Sequence, residues 1–267
     1  MKKILSYSII LIISLMPGCS EKEEPVPDEE GKIIVLMYHR LVEGEAENLY
    51  ERSVEDFEAD LKYLINNNVN VIGFDDLEIV SKTGKMPLGN SAIISFDDGD
   101  NSWYMLAAPL LLKYNMKATF FLWTYMIGSN SFLTWEEVEY LSNYTLPGGK
   151  RPFVFGSHTF SHPFLYQRRT GFSTFEEYNS FLDYELRESK LAIEAHTPGE
   201  VNILALPYGD GAGDPDIIAA AERNGYKFIR TSIWGAIDNP DINNFVIPSL
   251  PILDSTSPDE IGRYLAK

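Results

Sequence analysis

Two histidines four residues apart, His158 and His162, are well spaced to do chemistry together. On a helical turn an i, i+4 spacing sets two imidazoles on one side, within reach of a single ion. Two imidazoles need a third donor, and a carboxylate completes a two-histidine, one-carboxylate set suited to divalent metals. Asp97 and Asp98 directly follow the apolar run Ser91 to Phe96, where a charge is costly unless it is used. Read alone, His-x-x-x-His is equally a pair of surface or capping histidines, and Asp-Asp-Gly is equally a turn. Together, each at the end of an apolar run, they make a candidate centre. The other two histidines are His39, which follows the run Ile33 to Tyr38, and His196, in a polar stretch before Thr197-Pro198-Gly199 that reads as a loop.

The elements that must position these residues alternate between strand and helix from residue 32 onward. Strands are expected at Ile33–Tyr38, Val69–Ile72, Ser91–Phe96, Ala118–Leu122, Phe153–Phe155, Val201–Leu206 and near 226–230. Helices are expected in several of the intervals between them. Ser53 with Asp56, and Thr134 with Glu137, have capping-box spacing, and Asn66-Asn67-Asn68 ends the first helix. Leu106, Leu110 and Tyr114 mark another helix. Phe175, Tyr178, Leu182, Leu186 and Ile193 form one apolar face of a long helix, and a further helix falls near 214–223. Residues 234–257 read as irregular and proline-bearing, before a last short helix. Repeated βα units with no internal repeat imply one α/β domain, its parallel sheet curled into a barrel. In such barrels the site lies at the C-terminal ends of the strands. His39, Asp97-Asp98, His158 and Pro207-Tyr208 each stand directly after an expected strand.

Composition narrows the partners. A formal net charge of -17 repels phosphate backbones, so no nucleic-acid partner is expected, and no protein partner is inferred. The single cysteine, Cys19, excludes an intrachain disulfide. Lys2 and Lys3 precede the apolar stretch Ile4 to Met16, which is short for a membrane span and fits a signal segment over residues 1–18. Leu15-Met16-Pro17-Gly18-Cys19 resembles a lipobox, with Met16 departing from the usual Leu. Cys19 is therefore the expected lipidation site, and an ordinary signal peptide is the alternative. Residues 19–31 read as a flexible tether, and 32–267 as the folded domain that carries the candidate centre. The expected location is outside the cytoplasm, with the membrane reached only through the lipid.

Ser95-Phe96-Asp97-Asp98-Gly99 and Ser157-His158-Thr159-Phe160-Ser161-His162 resemble the first two motifs of the polysaccharide deacetylase superfamily, carbohydrate esterase family 4. Those motifs read roughly T-F-D-D-G and H-[ST]-x-x-[HN]-[PST]. Ala118-Thr119-Phe120-Phe121 and Leu133-Thr134-Trp135, between them, are also similar to the family, and the resemblance covers about residues 32 to 230. It implies a distorted (β/α) barrel that hydrolyses acetyl groups from an N-acetylated, or secondarily O-acetylated, polysaccharide of the cell envelope or exterior. It implies Asp98, His158 and His162 as ligands of one divalent ion, zinc first, with cobalt, nickel or iron compatible with the same donors. It implies Asp97 as general base and the Tyr208 N–H, after Pro207, as donor to the oxyanion.

Two departures from the family pattern bear on the site. Most members place a general-acid histidine near the C-terminus, but none follows His196. Met37-Tyr38-His39 instead resembles the subgroup related to poly-β-1,6-N-acetylglucosamine deacetylases, which implies His39 as general acid. Barrel closure can bring first and last strands side by side. Ala205 stands where the R-x-P-Y motif has an arginine that orients the catalytic aspartate. Arg230 is the candidate substitute, with a surface ion pair as its alternative reading. Trp103 and Trp234, with Pro207, are expected substrate contacts, and Trp123 and Tyr125 are further aromatics near strand ends. A glycan-binding surface protein that keeps the fold and has lost turnover is the rival reading.

Overall fold

Apolar runs buried at every position make strands that must be covered on both faces, and such strands pair in parallel. Ile33 to Tyr38 is one such run, and Ala118 to Leu122 another. The computed structural model describes residues 29–266. The expected signal segment (1–18), Cys19 and all but the last three residues of the 19–31 tether lie outside the described residues. The strands are β1 (Glu30–Tyr38), β2 (Arg40–Val42), β3 (Glu51–Ser53), β4 (Asn70–Val71), β5 (Gly89–Asp98), β6 (Ala118–Leu122), β7 (Phe153–Ser157), β8 (Ile203–Ala205), β9 (Phe228–Arg230) and β10 (Leu250–Pro251). The helices are α1 (Val54–Asn66), α2 (Phe74–Thr83), α3 (Ala108–Lys113), α4 (Trp135–Asn143), α5 (Phe175–Glu194), α6 (Pro215–Arg223) and α7 (Pro258–Leu265).

The main sheet is parallel, in the order β10-β1-β5-β6-β7-β8-β9, with β4 also on β5. Its two edges approach each other. Ile247 N donates to Ile229 O at 3.0 Å and Thr231 N to Ile247 O at 2.9 Å, so the chain before β10 lies along β9 while β10 lies along β1. The sheet thus curls into the distorted barrel expected of this element order, in a single domain. Side-chain alternation sorts its two faces. Ile33, Val35, Ile93, Phe121, Ile203 and Phe228 face inward and pack with Phe74, Leu77 and Val80 of α2. Ile34, Leu36, Ile94, Phe96 and Phe120 face the outer helices. Continued upward, the inward set reaches Met37, Asp97 and Arg230.

The capping signals produce helices where expected. Ser53 accepts from Asp56 N at the start of α1, and Thr134 and Glu137 form a reciprocal box on α4. Several details differ from the sequence reading, which placed no element at β2, β3 or α2. β1 begins at Glu30, because Gly31 lies flat against Gly89, where a Cβ would come within 2.1 Å of backbone. β10 falls inside the stretch read as irregular. Phe175, assigned to the buried face of α5, is exposed at the helix start, with Arg169 over its ring, while Tyr178, Leu182, Leu186 and Ile193 are buried.

Candidate active site

The His-x-x-x-His segment does not lie on a helical turn. It leaves β7 as a tight bend in which Thr159 (φ 65°) and His162 (φ 56°) are left-handed. Such conformations are costly for residues with a Cβ and persist where surroundings hold them. Glu185, buried on α5, supplies that hold. Its carboxylate accepts from Ser161 N at 2.7 Å and Ser161 Oγ at 2.6 Å, and its carbonyl accepts from Phe160 N at 3.0 Å. His162 N also donates to Thr159 Oγ1 at 3.1 Å. The bend achieves what a helical turn would have done: the two Nε2 atoms lie 3.1 Å apart.

Asp98 ends β5 with a φ of 90°, and Gly99 follows at 101°. This turn brings Asp98 Oδ1 to 3.4 Å from His158 Nε2 and 3.3 Å from His162 Nε2. One ligand atom from each of Asp98, His158 and His162 lies within 4.8 Å of the others. His158 Nδ1 is 2.9 Å from Ala205 O, and His162 Nδ1 is 3.1 Å from Tyr208 Oη. A carbonyl can only accept, so the hydrogen of neutral His158 sits on Nδ1 and leaves Nε2 a bare lone pair. Two imidazole nitrogens and a carboxylate oxygen so arranged fit a divalent cation between them. Burial pushes the Asp98 carboxyl up, but the two imidazoles outweigh it and hold it well below the usual carboxylate range.

Asp97 lies beside this cluster, with Oδ2 4.0 Å from His158 Nε2. Arg230 Nη2 donates to the same Oδ2, and Arg230 Nη1 lies 2.7 Å from Met37 Sδ. Arg230 is buried, so the surface ion pair considered for it is excluded. Among the described residues, Asp97 Oδ1 has no hydrogen-bond partner. His39 follows β1, its ring 4.8 Å from that of Tyr50. Burial lowers its pKa from the ordinary histidine value, with Asp97 and Asp98 opposing and Arg230 and His158 reinforcing that shift. His39 Nδ1, Trp123 Nε1 and Arg230 Nε are likewise buried without partners among the described residues. Buried polar atoms are seldom left so, and their gathering here marks a site built to receive polar groups.

These residues line one cleft of about 630 Å³ at the C-terminal ends of the strands. Asp97, Asp98, His39, His158, His162, Tyr208 and Trp234 all border it, and Pro207 adjoins it in the turn before Tyr208. Trp103 does not. Its ring is fully buried and stacks on Phe120 at 5.1 Å, and its Nε1 donates to His39 O at 2.6 Å. The reading of Trp103 as a substrate contact is therefore corrected: it supports the backbone of His39 from below. Trp123 borders the cleft and stacks on His162, whereas Tyr125 packs on Phe160 outside it. His196 stays apart, stacked on Trp135 and 2.6 Å from Glu139. Leu49, Tyr50, Ser232 and Leu253 also line it. They come from loops without periodic pattern, so nothing in the sequence singled them out.

Comparison with known proteins agrees with this architecture. The sequence profile described as polysaccharide deacetylase matches residues 85–229. The poly-beta-1,6-N-acetyl-D-glucosamine N-deacetylase of Staphylococcus epidermidis is 25% identical over 253 residues, covering 90% of this chain and 85% of that protein. Its namesake in Staphylococcus aureus strain MRSA252 is 24% identical over 284 residues, covering 98% and 94%. Among solved structures, the Streptococcus pyogenes deacetylase PplD in complex with acetate superposes with a TM-score of 0.75 at 21% identity, over 90% of this chain and 100% of that one. IcaB from Ammonifex degensii gives 0.71 at 21% identity, over 90% and 99%. At these identities the solved structures share the fold. The profile spans the strands that carry Asp97, Asp98, His158, His162 and Tyr208, and on that match the chain belongs to the polysaccharide deacetylase family.

Proposed function

We propose that this chain is a metal-dependent hydrolase that removes acetyl groups from an N-acetylated polysaccharide. One observation carries the reading: Asp97, a buried carboxylate with one oxygen held by Arg230 and the other without a partner among the described residues, adjoins a three-donor cluster in an open cleft. Asp98, His158 and His162 would hold one divalent ion, zinc first among those suited to the donors. The chemistry such an ion supplies is Lewis acidity at the attacking water and the acetyl carbonyl.

The chain's own residues divide the remaining work. Asp97 Oδ1 takes a proton as water adds to the amide carbon, while Arg230 keeps Oδ2 fixed. The Tyr208 N–H, presented by a left-handed turn (φ 59°), stabilises the charge that develops on the carbonyl oxygen. His39 delivers a proton to the departing nitrogen, and acetate and a free amine leave. The exposed Trp234 on the rim offers a face to sugar rings. N-Acetylglucosamine polymers are the first substrate to try, since two relatives are named for one. Export and anchoring through lipid at Cys19, ahead of a tether and the catalytic domain, belong to the same proposal.

Acetate release from N-acetylglucosamine oligomers and from acetylated xylan, with and without added zinc, tests the reading. Zinc-dependent release from the amide substrate supports it. Tight binding of oligomers with no release would identify a glycan-binding protein that keeps the fold.

A further inference from the structure

His158 and His162 offer the same atom to one cluster but are held by different means. The Nδ1 of buried His158 meets a main-chain carbonyl, Ala205 O at the end of β8, which the sheet keeps in place. The Nδ1 of His162 meets a side-chain hydroxyl, Tyr208 Oη at 3.1 Å, on a residue that is 60% exposed. For His162 Nε2 to present a lone pair to a cation, the ring hydrogen must sit on Nδ1. Nδ1–H then donates and Tyr208 Oη accepts.

The phenol is itself fixed by rings. Tyr208 stacks on Phe164 with centroids 4.0 Å apart and planes at 13°, and meets His162 edge-on at 4.7 Å and 69°. Trp123 covers a face of His162 at 4.8 Å and 27°, but its indole N–H has no partner among the described residues, so it contributes contact and not a hydrogen bond. Tyr208 Oη is therefore the described side-chain atom placed to accept the Nδ1 hydrogen of His162 in the tautomer that frees Nε2.

We propose that the Tyr208 side chain, separately from its backbone N–H, is a positioning residue for His162: its hydroxyl fixes the imidazole so that Nε2 faces the cluster, and Phe164 holds the phenol there. This rests on the reading of Asp98, His158 and His162 as a metal-holding set. The hydrogen-bond partner of a metal-ligating histidine typically carries about 10–100-fold in metal affinity.

Zinc affinity of the purified chain, measured by competition against a chromophoric chelator, tests the proposal without any substrate. Tyr208→Phe keeps the ring, the stack on Phe164 and the backbone N–H, and removes only Oη. The wild type should bind one zinc per chain, and Tyr208→Phe should still bind one, about 10–100-fold more weakly. Phe164→Ala, which leaves the hydroxyl but removes its support, should weaken binding in the same direction and by less. Melting curves of the metal-free proteins check that each variant folds. An affinity of Tyr208→Phe within about twofold of wild type overturns the positioning role and leaves the metal reading standing. A wild type that binds no zinc overturns both.

Discussion

Arg230, the last residue of β9, donates through Nη2 to Asp97 near the end of β5, and both side chains are buried. Removing one member of a buried pair leaves a charge without compensation, typically at a cost of about 3–5 kcal/mol. Arg230→Gln should lower the unfolding free energy by about that much, and adding Asp97→Asn should recover part of the loss. Urea denaturation of the wild type, both single variants and the double variant measures the coupling. Strictly additive losses would show that the two groups do not depend on each other.

His39→Ala should discriminate between leaving groups. An amide expels a poor leaving group whose nitrogen needs a proton, whereas an activated aryl acetate expels a stabilised phenolate. The variant should lose about 10²–10⁴-fold in kcat/KM on N-acetyl sugars and far less on the aryl ester. Equal losses on both substrates would remove His39 from the proton-donor role.

The environment of His39 also predicts a pH effect on stability. Burial, its main cause, lowers the pKa from the ordinary value of 6.5, so the unfolded chain takes up this proton at a higher pH than the folded chain does. Stability present above pH 6.5 should be lost as the pH falls from there through the folded-state value. His39→Gln should flatten that slope in urea midpoints measured between about pH 7.5 and 5. An NMR titration placing His39 above the ordinary value in the folded protein would contradict the sign.

Trp103 and Trp234 should respond in opposite ways. Trp103 fills the core, so Trp103→Ala should destabilise by about 3–5 kcal/mol. Trp234 is exposed at the cleft rim, so Trp234→Ala should leave stability within about 0.5 kcal/mol and raise KM for the oligomer. Denaturation curves and steady-state kinetics on both variants decide. A raised KM in a Trp103 variant of unchanged stability would restore Trp103 to the substrate contacts.

The contrast between these tryptophans shows what the sequence could and could not reveal. Strand runs such as Ile33 to Tyr38, and capping boxes such as Thr134 with Glu137, are local patterns, and they emerge as elements within a few residues of their expected bounds. The polar residues that end those runs come together because parallel strands finish on one side of a barrel. Trp103 was misread because it follows Asp-Asp-Gly closely, yet the turn into α3 directs its ring inward onto Phe120. β10 was missed because two residues, one of them proline, carry no periodicity, and only the curvature of the sheet brings them to β1. Glu185 gave no signal either: it lies 24 residues beyond Ser161, on a helix whose packing alone decides which acidic side chain turns inward. The Asp97–Arg230 contact spans 133 residues, and its closeness is a product of barrel closure.

The most direct test of the account follows acetate release from N-acetylglucosamine oligomers by zinc-loaded wild type and by Asp97→Asn, with zinc content measured on the same samples. Asp97 is assigned proton transfer and Asp98 the metal, so Asp97→Asn should keep about one zinc per chain and lose nearly all turnover, while the wild type releases acetate and stops when zinc is removed. Wild-type rates in the zinc-loaded Asp97→Asn variant, or zinc-loaded wild type that releases no acetate from any acetylated glycan tried, would contradict it.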